Sequence, residues 1–266
     1  MTTTTNHIQK LISVWPDLTL PLRPKEPVPS IVKTLLPSSN AALLILGVTP
    51  DYADLSNNVT ALDQLQTMIE GVWPGDNNKR RAVLGDWRNM PFDDQSFDIV
   101  LGDNSMSLTA FPDQTEVVLS EIKRVLRPGA RAIIRWFFAP EDVPNDEEII
   151  SFAMNRCDGK LEALRWRLAM HAAQLTPGPS MYTGEAFDLF CRLFPDPKAL
   201  QKANGWDDKT FSRIHFYRDG KLQLYFPTQH KAHATISKYF SKIMYVESGG
   251  YPMSEFGPLV VLDKEQ

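Results

Sequence analysis

The chain has 266 residues, of which 43% are apolar and 23% are charged, as in ordinary globular proteins. This composition excludes wholesale disorder, and the net charge of −4 gives no general attraction to nucleic acid. Cys157 and Cys191 are too few for a disulfide framework or a thiolate zinc site. The apolar runs are too short to span a bilayer, and the first residues lack the pattern of a secretion signal. We therefore expect a cytoplasmic protein without metal, membrane or nucleic-acid partners.

Residues 1–40 form an N-terminal segment that we expect to cap the domain after it. The segment begins with a polar leader and continues through a proline-rich run from Pro21 to Pro29. A short helix is predicted over Ser30–Leu36, because Pro37 cannot continue it.

Residues 41–138 alternate between strand and helix patterns. The run Ala41–Leu46 is continuously apolar, which is typical of a strand buried on both faces. Further strands are predicted over residues 59–62, 81–84, 97–101 and 130–138, with helical spacing before the third and the fifth strand. This alternation predicts right-handed crossovers and a doubly wound, mostly parallel α/β sheet.

Residues 140–228 lose the alternation and predict an insertion after the fifth strand. Helices are predicted over residues 147–155, 160–174 and 185–193, and a hairpin over Arg213–Phe226 with its turn at Asp219-Gly220. A helix over 232–244 and strands over 245–249 and 258–262 then return to the sheet, which gives it seven strands. The predicted core is therefore residues 41–139 and 229–266, interrupted by the insertion.

Each of the first four predicted strands ends in residues that suit a ligand, and ligands of open parallel sheets bind at these ends. Gly47 lets the backbone approach a ligand, because it has no Cβ. Asp63 is placed to accept hydrogen bonds from two ribose hydroxyls, although capping of the next helix explains it equally well. Asp86 and Trp87 offer a carboxylate and a ring to an adenine, and Gly102 permits a further close approach. Together these residues indicate a nucleoside site.

Three blocks in this order resemble the class I S-adenosylmethionine-dependent methyltransferases. The run Asp63–Ile69 resembles the ribose-binding segment of that family, and Gly85–Val100 resembles its third-strand and fourth-strand signature. The run Leu119–Ala130 resembles the helix and turn before its fifth strand. The resemblance covers about 41–138 well. It implies a Rossmann-like fold, S-adenosyl-L-methionine as cofactor and S-adenosyl-L-homocysteine as product.

The resemblance places the cofactor in the loops that follow the first four strands. The residues expected to bind it are Leu46, Gly47, Val48, Thr49, Asp63, Gln64, Met68, Asp86, Trp87, Gly102, Asp103 and Asn104. The first loop departs from the family pattern, because Gly47 is its single glycine and Pro50 has no amide hydrogen to donate. The same departure argues against a nicotinamide dehydrogenase, which needs a G-x-G-x-x-G loop for its pyrophosphate.

The acceptor is not specified by any motif, and no catalytic residue stands out. The fourth strand lacks the Asn/Asp-Pro-Pro-aromatic motif that holds planar amino groups, which weakens a nucleobase or glutamine acceptor. The aromatic-rich insertion is expected to form an apolar lid for a small-molecule acceptor. Its arginines Arg156, Arg165 and Arg167 can meet an acidic acceptor, although a solvated helix face is the preferred interpretation.

Two other functions remain open at this point. The first is a non-catalytic S-adenosylmethionine-binding or regulatory protein, which the altered first loop suggests. The second is aminopropyl transfer, which requires acidic residues around a polyamine, and Asp103 alone is thin support for it.

Overall fold

The computed structural model describes residues 3–155, 157–176 and 178–266, so Arg156 lies outside the described residues. The chain divides into two compact units. Unit 1 comprises Met1–Arg23, Phe138–His230 and Gly250–Phe256, and unit 2 comprises Pro24–Phe137, Lys231–Gly249 and Gly257–Gln266. The predicted N-terminal segment is thus shared between the units, and the division falls inside its proline-rich run, after Arg23.

The strands are β1 (Ala42–Leu46), β2 (Asn58–Asp63), β3 (Arg80–Leu84), β4 (Phe97–Asp103), β5 (Leu126–Arg135), β6 (Ser180–Tyr182), β7 (Gln223–Tyr225), β8 (Lys242–Val246) and β9 (Leu259–Asp263). The helices are α1 (Thr3–Val14), α2 (Val28–Thr34), α3 (Gln66–Val72), α4 (Asp113–Val125), α5 (Asp146–Asn155), α6 (Leu161–Gln174), α7 (Thr183–Leu193), α8 (Pro197–Asn204), α9 (Asp208–Ser212) and α10 (Gln229–Ile236).

Unit 2 is built on a seven-stranded sheet of order β3-β2-β1-β4-β5-β9-β8. Strands β1 to β5 pair in parallel, whereas β9 pairs antiparallel with both β5 and β8. The predicted doubly wound, mostly parallel, seven-stranded sheet is therefore confirmed. Strand order reverses between β1 and β4, where Leu46 pairs with Leu62 on one side and Gly102 on the other. This reversal marks the edge at which ligands of such sheets bind.

The central strands form the core of unit 2. Leu43, Leu44 and Ile45 of β1 are 0% exposed, as a strand covered on both faces requires. Each such side chain contributes about 1.5–3 kcal/mol by leaving water. The burial holds β1 rigidly, so the loop that follows it starts from a fixed point.

Unit 1 is arranged around α6, whose residues from Leu161 to Ala173 are all buried. The Trp166 ring meets the Phe226 ring edge-on at a centroid distance of 5.2 Å. The interpretation of Arg165 and Arg167 as a solvated helix face is wrong, because these residues are only 2% and 9% exposed. Hydrophobic periodicity could not show this, since it reports apolar faces and α6 buries charged residues as well.

The hairpin predicted over Arg213–Phe226 has a different pairing from the one expected. Residues Arg213–Tyr217 form a 3-10 helix, and β7 pairs antiparallel with β6 instead. The Asp219-Gly220 turn is present, with Asp219 at φ +56°. The alternation in this stretch predicted one strand correctly, but it could not identify a partner strand some forty residues away in the sequence.

Helices α1, α8 and α9 were not predicted from the sequence. The signals of α8 were nevertheless present, because Asp196 accepts a hydrogen bond from the Ala199 amide at 3.1 Å and Pro197 follows it. Gly205 ends the helix at φ +66°. Within the described ranges, no helix combines the length and the apolar character that crossing a bilayer requires.

Candidate functional site

The loop after β1 brings three of the predicted site residues together. Gly47 has φ +92°, a conformation that favours glycine. A Cβ placed on it would lie 3.5 Å from Trp87 Cζ2 and 3.8 Å from Asp63 Oδ2. The ends of β1, β2 and β3 thus meet at one point, and the backbone of Gly47 is left open between a carboxylate and an indole ring.

A hydrogen bond from its indole nitrogen fixes the Trp87 ring beside Gly47. Trp87 Nε1 donates to the Leu62 carbonyl oxygen at 2.7 Å, and the Gly47 amide donates to the same oxygen at 2.8 Å. The ring is half-buried. Trp87 therefore forms a wall beside Gly47.

Asp63 is a buried carboxylate at the end of β2. Its Oδ1 accepts a hydrogen bond from the Leu65 amide at 2.9 Å. Capping of α3 does not explain it, because α3 begins at Gln66 and its N-cap is Leu65. Burial raises the pKa of Asp63, and hydrogen bonds from the Leu65 and Val48 amides oppose that rise. The carboxylate is held in place with Oδ2 on the Gly47 side.

Asp103, at the end of β4, is committed to a buried ion pair. Arg135 of β5 donates to it through Nε at 2.6 Å and through Nη2 at 2.9 Å, and the Arg135 side chain is 0% exposed. The Tyr52 hydroxyl donates to Asp103 Oδ1 at 3.4 Å. Burial raises the pKa of Asp103, and the Arg135 guanidinium opposes this shift. The pair joins the end of β4 to β5 and to the 3-10 helix Pro50–Tyr52.

Sequence reasoning missed Tyr52 and Arg135, although Arg135 carried a signal. It lies between the apolar runs Ala132–Ile134 and Trp136–Phe138, and a buried charge requires a partner. Tyr52 carried none, because its role depends on how the chain turns after Thr49.

Asp86, predicted to accept from an adenine amine, is engaged by its neighbour in the sequence. The Arg88 guanidinium donates to both carboxylate oxygens of Asp86, with Nη2 to Oδ2 at 2.5 Å. This contact holds the pKa of Asp86 below its ordinary value. An adenine amine must therefore share this carboxylate with Arg88 or displace it.

The other predicted residues have varied surroundings. Leu46, Val48 and Thr49 are buried at the end of β1 and in its loop, and Met68 is buried in α3. Gln64 is exposed. Asn104 has φ +55° and accepts a hydrogen bond from the Ser107 hydroxyl at 2.7 Å, so it shapes the turn after β4.

The loop after β3 is clamped by α4. Glu121 Oε2 accepts from the Met90 amide at 2.7 Å, and Arg124 donates to the Met90 and Phe92 carbonyl oxygens. Arg124 also bonds Glu121 and holds the pKa of that carboxyl below its ordinary value. The pair positions the loop that carries Trp87.

Gly102 has a packing role that can be separated from ligand binding. A Cβ at this position would overlap Ser105 Oγ and lie 3.3 Å from Ile134 Cγ2. We expect Gly102→Ala to cost about 1–3 kcal/mol through overpacking. Denaturant unfolding measures this loss of stability when it is carried out on Gly102→Ala, Ser105→Ala and the double variant. The double variant should recover part of the loss, because the overlapping oxygen is gone, and strictly additive losses would contradict the assigned contact.

Among residues 3–155, 157–176 and 178–266, no group of three or more His, Cys, Asp or Glu side chains could hold a metal ion. The groups at the strand ends are suited to binding a ligand by hydrogen bonds and ring contacts rather than through a metal ion. It combines a carboxylate at Asp63, an open backbone at Gly47 and a ring at Trp87.

Residues 47–134 match the model of a methyltransferase domain. This match confirms the resemblance to the class I S-adenosylmethionine-dependent methyltransferases, and S-adenosylmethionine is the cofactor of that family. The matched range includes Gly47, Asp63, Trp87 and Asp103, whereas Leu46 and Arg135 lie just outside it. No curated protein matches this chain.

Solved structures share the fold at low sequence identity. A protein from Rhodobacter sphaeroides, named provisionally as a Zn-dependent alcohol dehydrogenase, has a TM-score of 0.59 at 15% identity, covering 100% of both chains. An S-adenosylmethionine-dependent methyltransferase from Thermotoga maritima, named as a candidate histamine N-methyltransferase, has a TM-score of 0.51 at 15% identity, covering 98% of this chain and 99% of its own. A provisionally named methyltransferase from Methanococcus maripaludis has a TM-score of 0.50 at 16% identity, with coverage of 97% and 92%. At these identities the likeness concerns the fold alone.

Proposed function

We propose that this chain, whose residues 47–134 match a methyltransferase domain, binds S-adenosylmethionine at the ends of β1, β2 and β3 and transfers its methyl group to a small-molecule acceptor. The observation that carries the proposal is the meeting of Gly47, Asp63 and Trp87 at one point of the sheet edge.

The residues at this edge fit the cofactor. The Asp63 carboxylate is buried and fixed by the Leu65 amide, so it can accept from ribose hydroxyls without first becoming ordered. Gly47 leaves the space that a Cβ would fill. The Trp87 ring provides an apolar face beside it.

When bound, S-adenosylmethionine supplies a methyl group on a sulfonium, and its transfer is an in-line displacement. The chain supplies orientation and exclusion of water for this reaction. The Asp103–Arg135 pair fixes the end of β4, next to the end of β1, so that the loops after both strands keep their positions.

The acceptor is assigned to the insertion of unit 1. Its core is rich in aromatic rings, with Phe187 and Phe190 stacked at 6.2 Å and Trp206 and Phe211 stacked at 5.9 Å. An aromatic, largely apolar environment suits a small organic molecule better than a phosphate backbone, which requires a basic surface.

Aminopropyl transfer has less support than methyl transfer. That reaction needs free carboxylates for a polyamine, whereas Asp103 is already bound by Arg135 at 2.6 Å. A non-catalytic cofactor-binding protein is the remaining alternative, and it differs from the enzyme only in the outcome of a transfer assay.

Binding of S-adenosylhomocysteine to the full chain, without any acceptor, tests the proposal. We expect calorimetry to detect saturable binding, because the residues assigned to the cofactor all lie in unit 2. NAD should give no heat, because the loop after β1 lacks the glycines that a pyrophosphate needs.

Absence of heat with both S-adenosylhomocysteine and S-adenosylmethionine at millimolar concentration would overturn the proposed function. Binding of both, followed by failure of methyl transfer across a broad acceptor panel, would favour the non-catalytic alternative.

A further inference from the structure

Helix α6, at the centre of unit 1, carries a buried arginine whose surroundings are unusual. Arg165 is 2% exposed, although arginine is rarely buried unless it is paired. Among the described residues, no carboxylate oxygen lies within ion-pair distance of its guanidinium. Its Nε and Nη1 atoms are buried and have no hydrogen-bond partner in the described part of the chain.

The acidic side chain one helical turn from Arg165 is not its ionic partner. Glu162 Oε1 accepts from Arg213 Nη2 at 2.9 Å, and Glu162 Oε2 accepts from the Thr19 hydroxyl at 3.2 Å. The Glu162 carboxylate is thus directed to another arginine. Buried Arg165 and partly exposed Arg213 therefore share a neighbourhood with one acid, and Glu162 pairs with Arg213.

Aromatic rings surround the Arg165 guanidinium. Its central carbon lies 4.3 Å from the ring centroid of Tyr217 and 5.1 Å from that of Phe216. Such faces attract the cation, but they do not replace oxygen acceptors for the N–H groups in the guanidinium plane. Phe216 is half-buried, and Arg218 and Asp219 are exposed. Part of the aromatic surroundings of Arg165 is therefore accessible to solvent.

A buried charge without an ionic partner opposes folding, because it has lost its hydration. The chain keeps this charge in an aromatic setting, where the Tyr217 hydroxyl is hydrogen-bonded to the guanidinium while Nε and Nη1 have no acceptor among the described residues. We propose that Arg165 binds a carboxylate group of the methyl acceptor, an otherwise apolar or aromatic acid. This inference rests on the proposed function, in which the insertion binds the acceptor.

A carboxylate fits these surroundings better than a phosphate. The donors without a partner belong to one arginine, so the site offers one positive charge, which matches a single negative charge better than a doubly charged phosphate. The neighbouring rings favour a ligand whose remaining surface is apolar.

The test combines thermal stability and ligand binding on the full chain. Arg165→Met keeps the length of the side chain and removes the charge, so the free protein should melt about 2–4 °C higher. Benzoate and 3-phenylpropionate at millimolar concentration should bind the unmodified protein, and benzamide and 3-phenylpropionamide should not. Arg165→Met should weaken binding of the two acids by at least about tenfold.

Arg213→Met is the matched control. The same substitution there leaves the buried Glu162 carboxylate without its arginine, so the protein should melt at a lower temperature. Arg165→Met and Arg213→Met thus have opposite expected effects on stability, although both remove one arginine from unit 1.

Three results would overturn the inference. A lower melting temperature for Arg165→Met would assign the arginine a structural role, such as binding an internal water. Equal binding of acids and amides would remove the carboxylate from recognition, and equal binding of inorganic phosphate would contradict the choice of anion. Calorimetry with S-adenosylhomocysteine separates this inference from the proposed function, because Arg165→Met should leave cofactor affinity unchanged.

Discussion

Replacement of Asp63 by alanine is expected to weaken S-adenosylhomocysteine binding by about 10- to 100-fold. Each charge-assisted hydrogen bond from a ribose hydroxyl is worth about 1.5–3 kcal/mol, the losses overlap, and 1.4 kcal/mol corresponds to a factor of ten. Calorimetry on the full chain measures the effect. Stability should change by no more than about 1 kcal/mol, because the carboxylate caps no helix and its hydrogen bonds from the protein come from two loop amides, Leu65 and Val48.

Asp63→Asn is the matched control, since it keeps the shape and one acceptor oxygen but removes the charge. It should bind S-adenosylhomocysteine more tightly than Asp63→Ala and less tightly than the unmodified chain. If both variants bind normally and only their melting temperatures fall, Asp63 is a structural residue and the cofactor site is misplaced.

The same carboxylate predicts a dependence on pH. Burial raises the pKa of Asp63 above its ordinary value of 3.8, so on acidification it is protonated earlier than an exposed aspartate. Cofactor affinity should therefore fall as the pH decreases through this raised pKa, whereas Asp63→Asn should not show that loss. The effect on stability has the opposite sign. The protonated form is favoured by folding, so the contribution of Asp63 to the free energy of unfolding declines as the pH rises through its folded-state pKa.

Asp103→Ala is expected to cause the largest loss of stability, about 3–5 kcal/mol, because it leaves the buried Arg135 guanidinium without this carboxylate. Asp86→Ala is the matched control. It also removes an aspartate bonded to an arginine at the end of a strand, but the Asp86 and Arg88 side chains are 38% and 45% exposed. Water screens such a pair, so its loss should cost less than about 1 kcal/mol.

Urea unfolding followed by far-UV circular dichroism compares the two variants. If Asp103→Ala does not fold, the double variant Asp103→Leu with Arg135→Met should restore a folded chain, because it removes both buried charges together. A loss for Asp103→Ala as small as that for Asp86→Ala would show that the buried pair does not hold the end of β4.

Much of unit 2 could be predicted because its signals are local. The apolar run of β1 and the helical spacing in α4 report burial directly, since each depends only on neighbours in the sequence. Gly47 and Asp63 could also be named in advance, because a residue that ends a parallel strand is placed at the ligand edge by the sheet itself.

Unit 1 was predicted less well because its contacts are distant in the sequence. The β6–β7 pairing joins Ser180 to Tyr225, and α6 is buried on every side, so it lacks an amphipathic pattern. The interpretation of Arg165 as solvated failed for this reason, since a charged residue on a helix faces water unless the rest of the fold surrounds it.

The sequence by itself determined the parallel sheet, the residues that end its first four strands and the methyltransferase resemblance, because strand patterns and turn residues act over a few positions. Only the tertiary structure decided the partners of the charged groups. It directed Asp103 to Arg135 and Tyr52, Asp86 to Arg88, and Glu162 to Arg213 rather than Arg165. The physical reason is that an ion pair or a hydrogen bond requires atoms within about 3–4 Å. Such distances between residues far apart in the chain are fixed by packing.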